Sequence, residues 1–471
     1  MVNDEAKTAN DVLVFRQRNF NFSSYESSDV SDFGSMMMVA AITDLMLGMV
    51  TLLLLSRSDG ASTSSKLAGL ILGWILVFKG VEYLLMATLQ FQYDVEVIFW
   101  NIDASTLENT FLSSSYRMAR IVGFVLMCFL PFVFPFRLLP KEWDGKMALG
   151  ATCSISILMA SFYLLTDFVY FNFENVVLIP GFIVLVALYI RFTIAEVKEE
   201  KQQYRKISIA AGLILIAIHG ETMTYWLTQV LSIFDEFQQR FFIDFNWEPN
   251  FAAWFGANVW FTLGPAAILI LAVVEIWRSV KVGTSPFSIL VFIILLVGMI
   301  AGIAHYMVLD VVRSCYEGTC QEFPEAFNIW YEFTSNSLLF LYTPIIFMYI
   351  LLNFNIIETK SGENRWLTRI IVIMMLLIVS SVVLELVQSF LPIPEMVSAA
   401  FLAILVAVFI GWEEKIVNRL IESAEPVTTG IPLVKGNVGE GEVNARAFHF
   451  AMGGVLGFIL LLSALHSGLG L

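Results

Sequence analysis

The amino-acid sequence predicts an all-α fold, a polytopic transmembrane helix bundle of about twelve spans. Of its 471 residues, 58% are hydrophobic and only 14% are charged, whereas a water-soluble domain contains about 25% charged residues. This composition excludes a water-soluble enzyme. The spans are predicted to be helices, because open strands would leave backbone polar groups unpaired in lipid.

Twelve stretches are long enough to cross a bilayer, since roughly 20 apolar residues traverse about 30 Å of hydrocarbon. They are residues 35–56, 67–91, 117–137, 146–167, 175–196, 207–233, 252–277, 286–312, 327–352, 366–390, 395–412 and 448–468. The stretch at 395–412 is short, and Pro392 and Pro394 predict a tight return from the helix before it. The tenth and eleventh spans are therefore candidates for a hairpin pair.

The basic residues predict the sidedness of each connection, because Lys and Arg near span ends remain cytoplasmic. The connections after odd-numbered spans hold 19 basic residues, against 7 in the other connections and the termini, while Lys79 lies inside a span. The net charges of the two sides are +5 and −13. The basic side is predicted to be cytoplasmic, which places both termini outside.

This topology divides the chain into four parts. Residues 1–34 form an extracytoplasmic tail, 35–412 a membrane domain of about eleven helices, 413–447 a cytoplasmic loop with an amphipathic start, and 448–471 the last transmembrane helix. Each connection is shorter than the roughly 40 residues below which unassisted folding becomes difficult. A fused kinase, nucleotide-binding domain or nucleic-acid module is therefore excluded.

Two cysteines form a disulfide candidate. Cys315 and Cys320 fall in the predicted outer connection after the eighth span, on the oxidising side of the membrane. The alternative is a pair of free thiols in a cytoplasmic loop.

Ionisable side chains inside the spans are the candidate functional residues, because burying each one in a bilayer costs at least a few kcal/mol. Those in the middle or outer parts of the spans are Asp44, Lys79, Glu82, His219, Glu221, His305, Asp310, Glu332 and Glu385. Their similar depth predicts one water-accessible cavity that opens to the outside and binds a small ligand or a cation.

Each candidate also has a structural interpretation. Lys79 and Glu82 are three residues apart on one helix and neutralise each other in that interpretation. The carboxylates at 310, 332 and 385 then reach the headgroups, and His219 makes an interhelical hydrogen bond. Since His219 and Glu221 are two residues apart, we expect them to face different neighbours.

All four histidines lie in predicted spans, which invites a haem or metal interpretation. His449 and His466 are predicted at opposite ends of the last span, so only His219 and His305 can meet. No hydrolase, metalloprotease or redox motif occurs in the sequence. We therefore predict no cofactor, with a haem held by His219 and His305 as the alternative and any metal unknown.

Several spans contain helix breakers. They are Pro131 and Pro135 in the third span, Pro180 in the fifth, Gly264-Pro265 in the seventh and Pro344 in the ninth. Broken helices expose backbone groups that bind ions in transporters, but membrane helices also tolerate proline as an ordinary kink. The kink is the favoured expectation.

Two stretches carry a family resemblance. Phe-Val-Phe-Pro-Phe-Arg-Leu-Leu at 132–139 and Pro-Ile-Ile-Phe-Met-Tyr-Ile-Leu-Leu-Asn-Phe-Asn-Ile-Ile at 344–357 resemble the membrane-sensor regions of bacterial and archaeal sensor kinases. The match covers about 22 residues. The resemblance implies a helical region that faces outward stimuli. This chain has more helices than the typical seven and no kinase domain.

The function predicted from these features is binding or sensing of a small ligand or cation by an integral protein of the cell membrane. A partner would then touch the basic inner loops, particularly Lys198 to Lys206. The expected partners are the bilayer, the ligand, and a cytoplasmic signalling protein or a second copy, but no nucleic acid. The alternatives are a proton- or cation-coupled secondary transporter and a membrane-embedded enzyme or haem or metal protein.

Overall fold

The computed structural model describes residues 29–57, 63–93, 111–136, 138, 145–166, 173–199, 202–234, 251–316, 338–354, 356, 369, 372–373 and 444–469. Within these residues the fold is all-helical and contains no strand. Near the ends of several helices only the backbone is described. In the helix Pro286–Tyr316, for example, the side chains of residues 304–306 and 308–316 are not described.

The described part of the chain contains eleven α-helices, which we number in chain order. They are α1 (Asp29–Arg57), α2 (Thr63–Tyr93), α3 (Phe111–Val133), α4 (Gly145–Leu165), α5 (Leu178–Glu199), α6 (Gln202–Thr224), α7 (Trp226–Phe234), α8 (Phe251–Val282), α9 (Pro286–Tyr316), α10 (Leu338–Asn353) and α11 (Ala445–Leu469). A 3₁₀ turn at Phe173–Val177 leads into α5.

Eight of these helical segments are long and apolar enough to cross a membrane, and they belong to α1, α2, α3, α5, α6, α8, α9 and α11. Helices α4 and α10 contain shorter apolar stretches, Leu149–Leu165 and Tyr342–Asn353. The predicted spans at 366–390 and 395–412 lie outside the described residues except for 369 and 372–373, and so do the first 28 residues and the loop at 413–443. The count of twelve and the side of each terminus stay predictions.

Three helices form the centre of the bundle. The apolar windows of α2, α3 and α6 are 83%, 78% and 89% buried, against 28% in α11. Helix α2 packs between α1 and α3, and α6 packs against α5, α8 and α10. The charged residues in the middle of α2 and near the start of α3, namely Lys79, Glu82 and Arg117, are therefore buried inside the protein.

Glycines bring the backbones of α1 and α2 into direct contact. A Cβ atom on Gly48 would lie 2.9 Å from the carbonyl oxygen of Gly73, and one on Gly80 would lie 2.8 Å from the backbone nitrogen of Leu45. Small residues permit such close approach between membrane helices. The contact fixes Lys79, the neighbour of Gly80, at the level of the helical turn on α1 that contains Asp44.

The predicted sixth span, 207–233, is not one straight helix. It divides at Tyr225 into α6 and α7, in a stretch where the hydroxyl of Thr222 donates to the carbonyl of His219 and that of Thr224 donates to the carbonyl of Gly220. Such bonds from threonine to its own helix backbone bend helices.

Four of the five prolines named above lie within continuous helices, whereas Pro135 follows the end of α3 at Val133. Helices α3, α8 and α10 continue through Pro131, Pro265 and Pro344, as an ordinary kink allows. Gly264 does not interrupt α8 either. A Cβ atom at this position would lie 2.5 Å from the Cβ of Thr222, so only glycine fits there. It lets α8 approach α6 next to the bend.

Candidate functional site

Lys79 lies at the centre of a group of buried ionisable side chains. Its Nζ lies 3.4 Å from Oε2 of Glu82, one turn further along α2. The same Nζ donates a hydrogen bond of 3.4 Å to the hydroxyl of Tyr83. Lys79 and Glu82 are 8% and 3% exposed. The ion pair expected from their three-residue spacing is therefore present in the structure.

Asp44 approaches this pair from α1. It is fully buried, and neither of its carboxylate oxygens has a hydrogen-bond partner among the described residues. Lys79 and Glu82 act on it electrostatically. Asp44 is thus a buried acid whose only described compensation is a lysine already paired with another acid.

Glu221 reaches the group from α6. It is half-buried and interacts electrostatically with Lys79, Arg120 and Glu82. Arg120 comes from α3, with its Nε 3.9 Å from Oε1 of Glu174 in the 3₁₀ turn. We call Asp44, Lys79, Glu82, Arg120, Glu174 and Glu221 the Lys79 cluster.

Arg117 and Arg120 stand at the start of the predicted third span, 117–137, but were not among the candidate residues. Both lie inside α3, which begins six residues earlier, at Phe111, and Arg117 is 6% exposed. Hydropathy missed the first turns of this helix because they contain Ser113, Ser114 and Ser115, although all three serines are buried. Glu174 was also missed, because it lies just ahead of the predicted fifth span.

His219 and Glu221 face different neighbours, as their two-residue spacing requires. The ring of His219 contacts Phe182 edge-on, with centroids 5.5 Å apart, and lies 6.1 Å from that of Trp260. His219 is 1% exposed, and its Nδ1 has no hydrogen-bond partner among the described residues. Nδ1 therefore does not make the expected interhelical hydrogen bond within the described part.

The other candidates are only partly described. His305 and Asp310 lie on α9, but their side chains are outside the description, as is that of Cys315. Glu332, Glu385 and Cys320 lie outside the described residues altogether. The structure thus brings together Asp44, Lys79, Glu82 and Glu221, and the remaining members of the expected cavity, the disulfide and the haem alternative stay predictions.

The remaining histidines lie at opposite ends of α11, as predicted. His449 has its ring 6.3 Å from that of Trp74, whereas His466 has its Nδ1 3.4 Å from the hydroxyl of Ser114. Within the described residues, no three His, Cys, Asp or Glu side chains are grouped so that they could hold a metal ion.

A second ionic network surrounds Arg278 near the C-terminal end of α8. Arg278 is 1% exposed. Its Nη1 donates to Oε1 of Glu275 at 3.0 Å, and its Nη2 donates to Oε1 of Glu196 at 3.1 Å. Tyr189 donates to the same oxygen of Glu275 at 2.8 Å, and Ser288 donates to the other oxygen.

These contacts connect four helices. With Arg205, whose Nε lies 3.8 Å from Oε1 of Glu196, the Arg278 network consists of Tyr189, Glu196, Arg205, Glu275, Arg278 and Ser288. It joins α5, α6, α8 and α9. The pair of Arg278 with Glu196 leaves no periodic signal in the sequence, because the two residues are 82 apart along the chain.

The two groups lie at opposite ends of the bundle. Helix α6 carries Arg205 near its start and Glu221 near its end, a separation of about 24 Å at about 1.5 Å per residue. The intervening run from Ile209 to Ile218 is apolar. In the predicted topology, the Lys79 cluster is on the outer side and the Arg278 network is on the cytoplasmic side.

The two stretches that carry the sensor resemblance also meet in space. The rings of Phe134, after α3, and Phe354, after α10, pack edge-on with centroids 6.0 Å apart. They come from helices that are separated by more than 200 residues of sequence.

Eight helices of this length and hydropathy are compatible with a multi-pass integral membrane protein, and this is the class to which fold and buried charge assign the chain. No family model, curated protein or solved structure matches it.

Proposed function

We propose that this multi-pass protein binds a small ligand or a cation at the Lys79 cluster and acts as a sensory component of the cell membrane. The observation that supports this is the convergence of buried charges from α1, α2, α3 and α6. Ion pairs buried in protein are often replaceable by apolar residues without loss of stability, so packing alone does not require them. Ionisable residues inside membrane spans usually have a function.

The chemistry of the cluster suits a small polar ligand. Carboxylates from three helices and the 3₁₀ turn surround one region together with two basic groups, and Glu221 among them is half-buried. A cation would bind to the acids, and a zwitterion would use both kinds of group. An apolar ligand would leave these charges without compensation.

Helix α6 offers a route from the ligand to a partner. Glu221 lies at one end of it and Arg205, which belongs to the basic segment Lys198 to Lys206, lies near the other. A displacement of α6 on ligand binding would change the contact between Arg205 and Glu196, where we propose a cytoplasmic signalling partner binds. Such coupling requires two arrangements of the network with different affinities for the ligand.

Thermal unfolding of the full-length protein in lipid nanodiscs tests the binding site. The probes are a panel of monovalent and divalent cations, amino acids and small carboxylates. We expect at least one to raise the unfolding temperature of the wild type and of Glu199→Gln, an exposed acid at the far end of α5, but not of Glu221→Gln. An unchanged shift in Glu221→Gln, or no shift with any probe, would count against the proposal.

A coupled secondary transporter is the second candidate. The observation that favours it is the polar network at each end of α6, since alternating access needs a closure on both sides of a central site. Uptake into proteoliposomes under a proton or sodium gradient tests it. Gradient-driven accumulation that Glu221→Gln abolishes would establish transport, whereas ligand-shifted stability without any accumulation would leave the sensory role.

A further inference from the structure

We propose that Asp44 is a proton-binding carboxyl group and that its protonation sets the partner of Lys79. This inference rests on the proposed function and names the proton as one ligand of the same site. Both oxygens of Asp44 are buried without a hydrogen-bond partner among the described residues. An ionised carboxylate in such a place loses its hydration without replacement, whereas the protonated acid is neutral and loses much less.

The electrostatic surroundings of Asp44 come from α2. Lys79 and Glu82 are the charged groups that act on it. Helices α10 and α11 also pack against α1, and their titratable or charged residues in the described part are Tyr342, Tyr349, Arg446, His449 and His466. Lys79 is therefore the group that decides whether Asp44 can carry a negative charge.

Lys79 can form an ion pair with either of two acids, Glu82 or Asp44. In the structure its Nζ pairs with Glu82 at 3.4 Å, which is the arrangement expected when Asp44 is protonated and neutral. When the O–H bond of Asp44 breaks, the proton leaves to water and a second carboxylate appears within range of Lys79. The ammonium group is then drawn away from Glu82 towards Asp44, and no other bond forms or breaks.

Glu221 completes the argument, because it is a further acid next to the same lysine. It is half-buried and interacts with Lys79 from the side of α6. A proton that binds to Asp44 therefore changes the position of the ammonium group next to the acid that we assign to the ligand. Proton binding and ligand binding at the Lys79 cluster are coupled in this way, and the coupling is reciprocal.

Infrared spectroscopy of the full-length protein in nanodiscs tests the protonation directly. The wild type minus Asp44→Asn difference spectrum at neutral pH should contain the carbonyl band of a protonated carboxylic acid. Asparagine matches the neutral acid in shape, so this variant should fold. A difference spectrum with the symmetric and antisymmetric bands of a carboxylate and no acid band would overturn the proposal.

A second variant tests the role of the lysine. In the wild type, the acid band should disappear as the pH is raised. In Lys79→Met the ionised form loses its neighbouring cation, so half-loss of the band should move to higher pH by roughly 1 to 3 units. An unchanged midpoint would overturn the switch of partner.

The two proposals fail separately. An acid band together with a ligand shift that survives in Glu221→Gln would refute the proposed function and leave Asp44 as a proton site. A carboxylate at residue 44 together with a ligand shift that Glu221→Gln abolishes would refute the proton proposal alone.

Discussion

The Lys79 cluster and the Arg278 network both bury charge, but they differ in how fully their polar atoms are paired. Every oxygen of Glu275 accepts a hydrogen bond, and Arg278 donates to two acids at 3.0 and 3.1 Å. The Lys79–Glu82 contact is longer, at 3.4 Å, and Asp44 accepts none from the described residues. The pairing of the Arg278 network is not complete, because Oε2 of Glu196 is buried without a hydrogen-bond partner among the described residues. A well-paired network rigidifies a fold, whereas a buried carboxylate with neither oxygen paired is a candidate for binding an ion or a proton. Pairing distinguishes the two roles better than burial does.

The largest expected effect comes from breaking the paired network. Arg278→Met leaves Glu196 and Glu275 buried without their shared cation, so we expect a loss of about 3–5 kcal/mol in the free energy of unfolding. Reversible unfolding in detergent measures it. Lys281→Met, on an exposed site of the same helix, is the control, and equal stability of the two variants would contradict a structural role for the network.

Removal of one donor should have a smaller effect. Ser288→Ala takes away the hydroxyl that donates to Oε2 of Glu275, and hydrogen bonds to charged groups contribute about 1.5–3 kcal/mol. We expect a loss in that range by the same unfolding measurement. Thr284→Ala, at an exposed position nearby, should leave stability unchanged.

The close contact beneath the Lys79 cluster can be tested with a single methyl group. In Gly80→Ala the new Cβ would lie 2.7 Å from Cγ of Leu45, so α1 and α2 must separate, at a cost of about 1–3 kcal/mol. Gly453→Ala is the matched control, because no described atom lies within 4 Å of a Cβ at that position. If both alanine variants unfold at the same temperature, the contact is not tight.

The smallest expected effect concerns the longer ion pair. A double-mutant cycle with Lys79→Met and Glu82→Gln should give a coupling free energy of about 0.5–1 kcal/mol, at the low end for residues in contact. The cycle of Arg278→Met with Glu275→Gln should give a larger value. Equal coupling in the two cycles would remove the distinction between a structural network and a binding cluster.

Local spacing predicted part of this site. The apolar stretches identified the spans, and the three-residue interval between Lys79 and Glu82 identified their pair, because both signals arise within one helix. Contacts between helices leave no such trace, so the pairing of Arg278 with Glu196 could not be predicted. The start of α3 ahead of residue 117 was missed for another reason, since it contains polar serines that hydropathy assigns to a loop.

The bend at Tyr225 was also beyond the sequence argument. Proline is the strongest helix breaker, so kinks were expected in the four predicted spans that contain an internal proline and not in the sixth. The observed break lies instead next to Thr222 and Thr224, whose hydroxyls bond to the backbone of the preceding turn. Thr88, Thr193 and Thr262 make bonds of the same kind within helices that continue, so a threonine in the sequence does not predict a break.

The glycine contact between α1 and α2 has a consequence for the direction from which protons reach Asp44. With backbone atoms this close at Gly48, Gly73 and Gly80, the seam between the two helices has no width for a file of water molecules. A water file therefore cannot reach Asp44 along that seam, and a proton has to approach the acid from another side of α1. The glycines thereby restrict the directions from which Asp44 can exchange its proton.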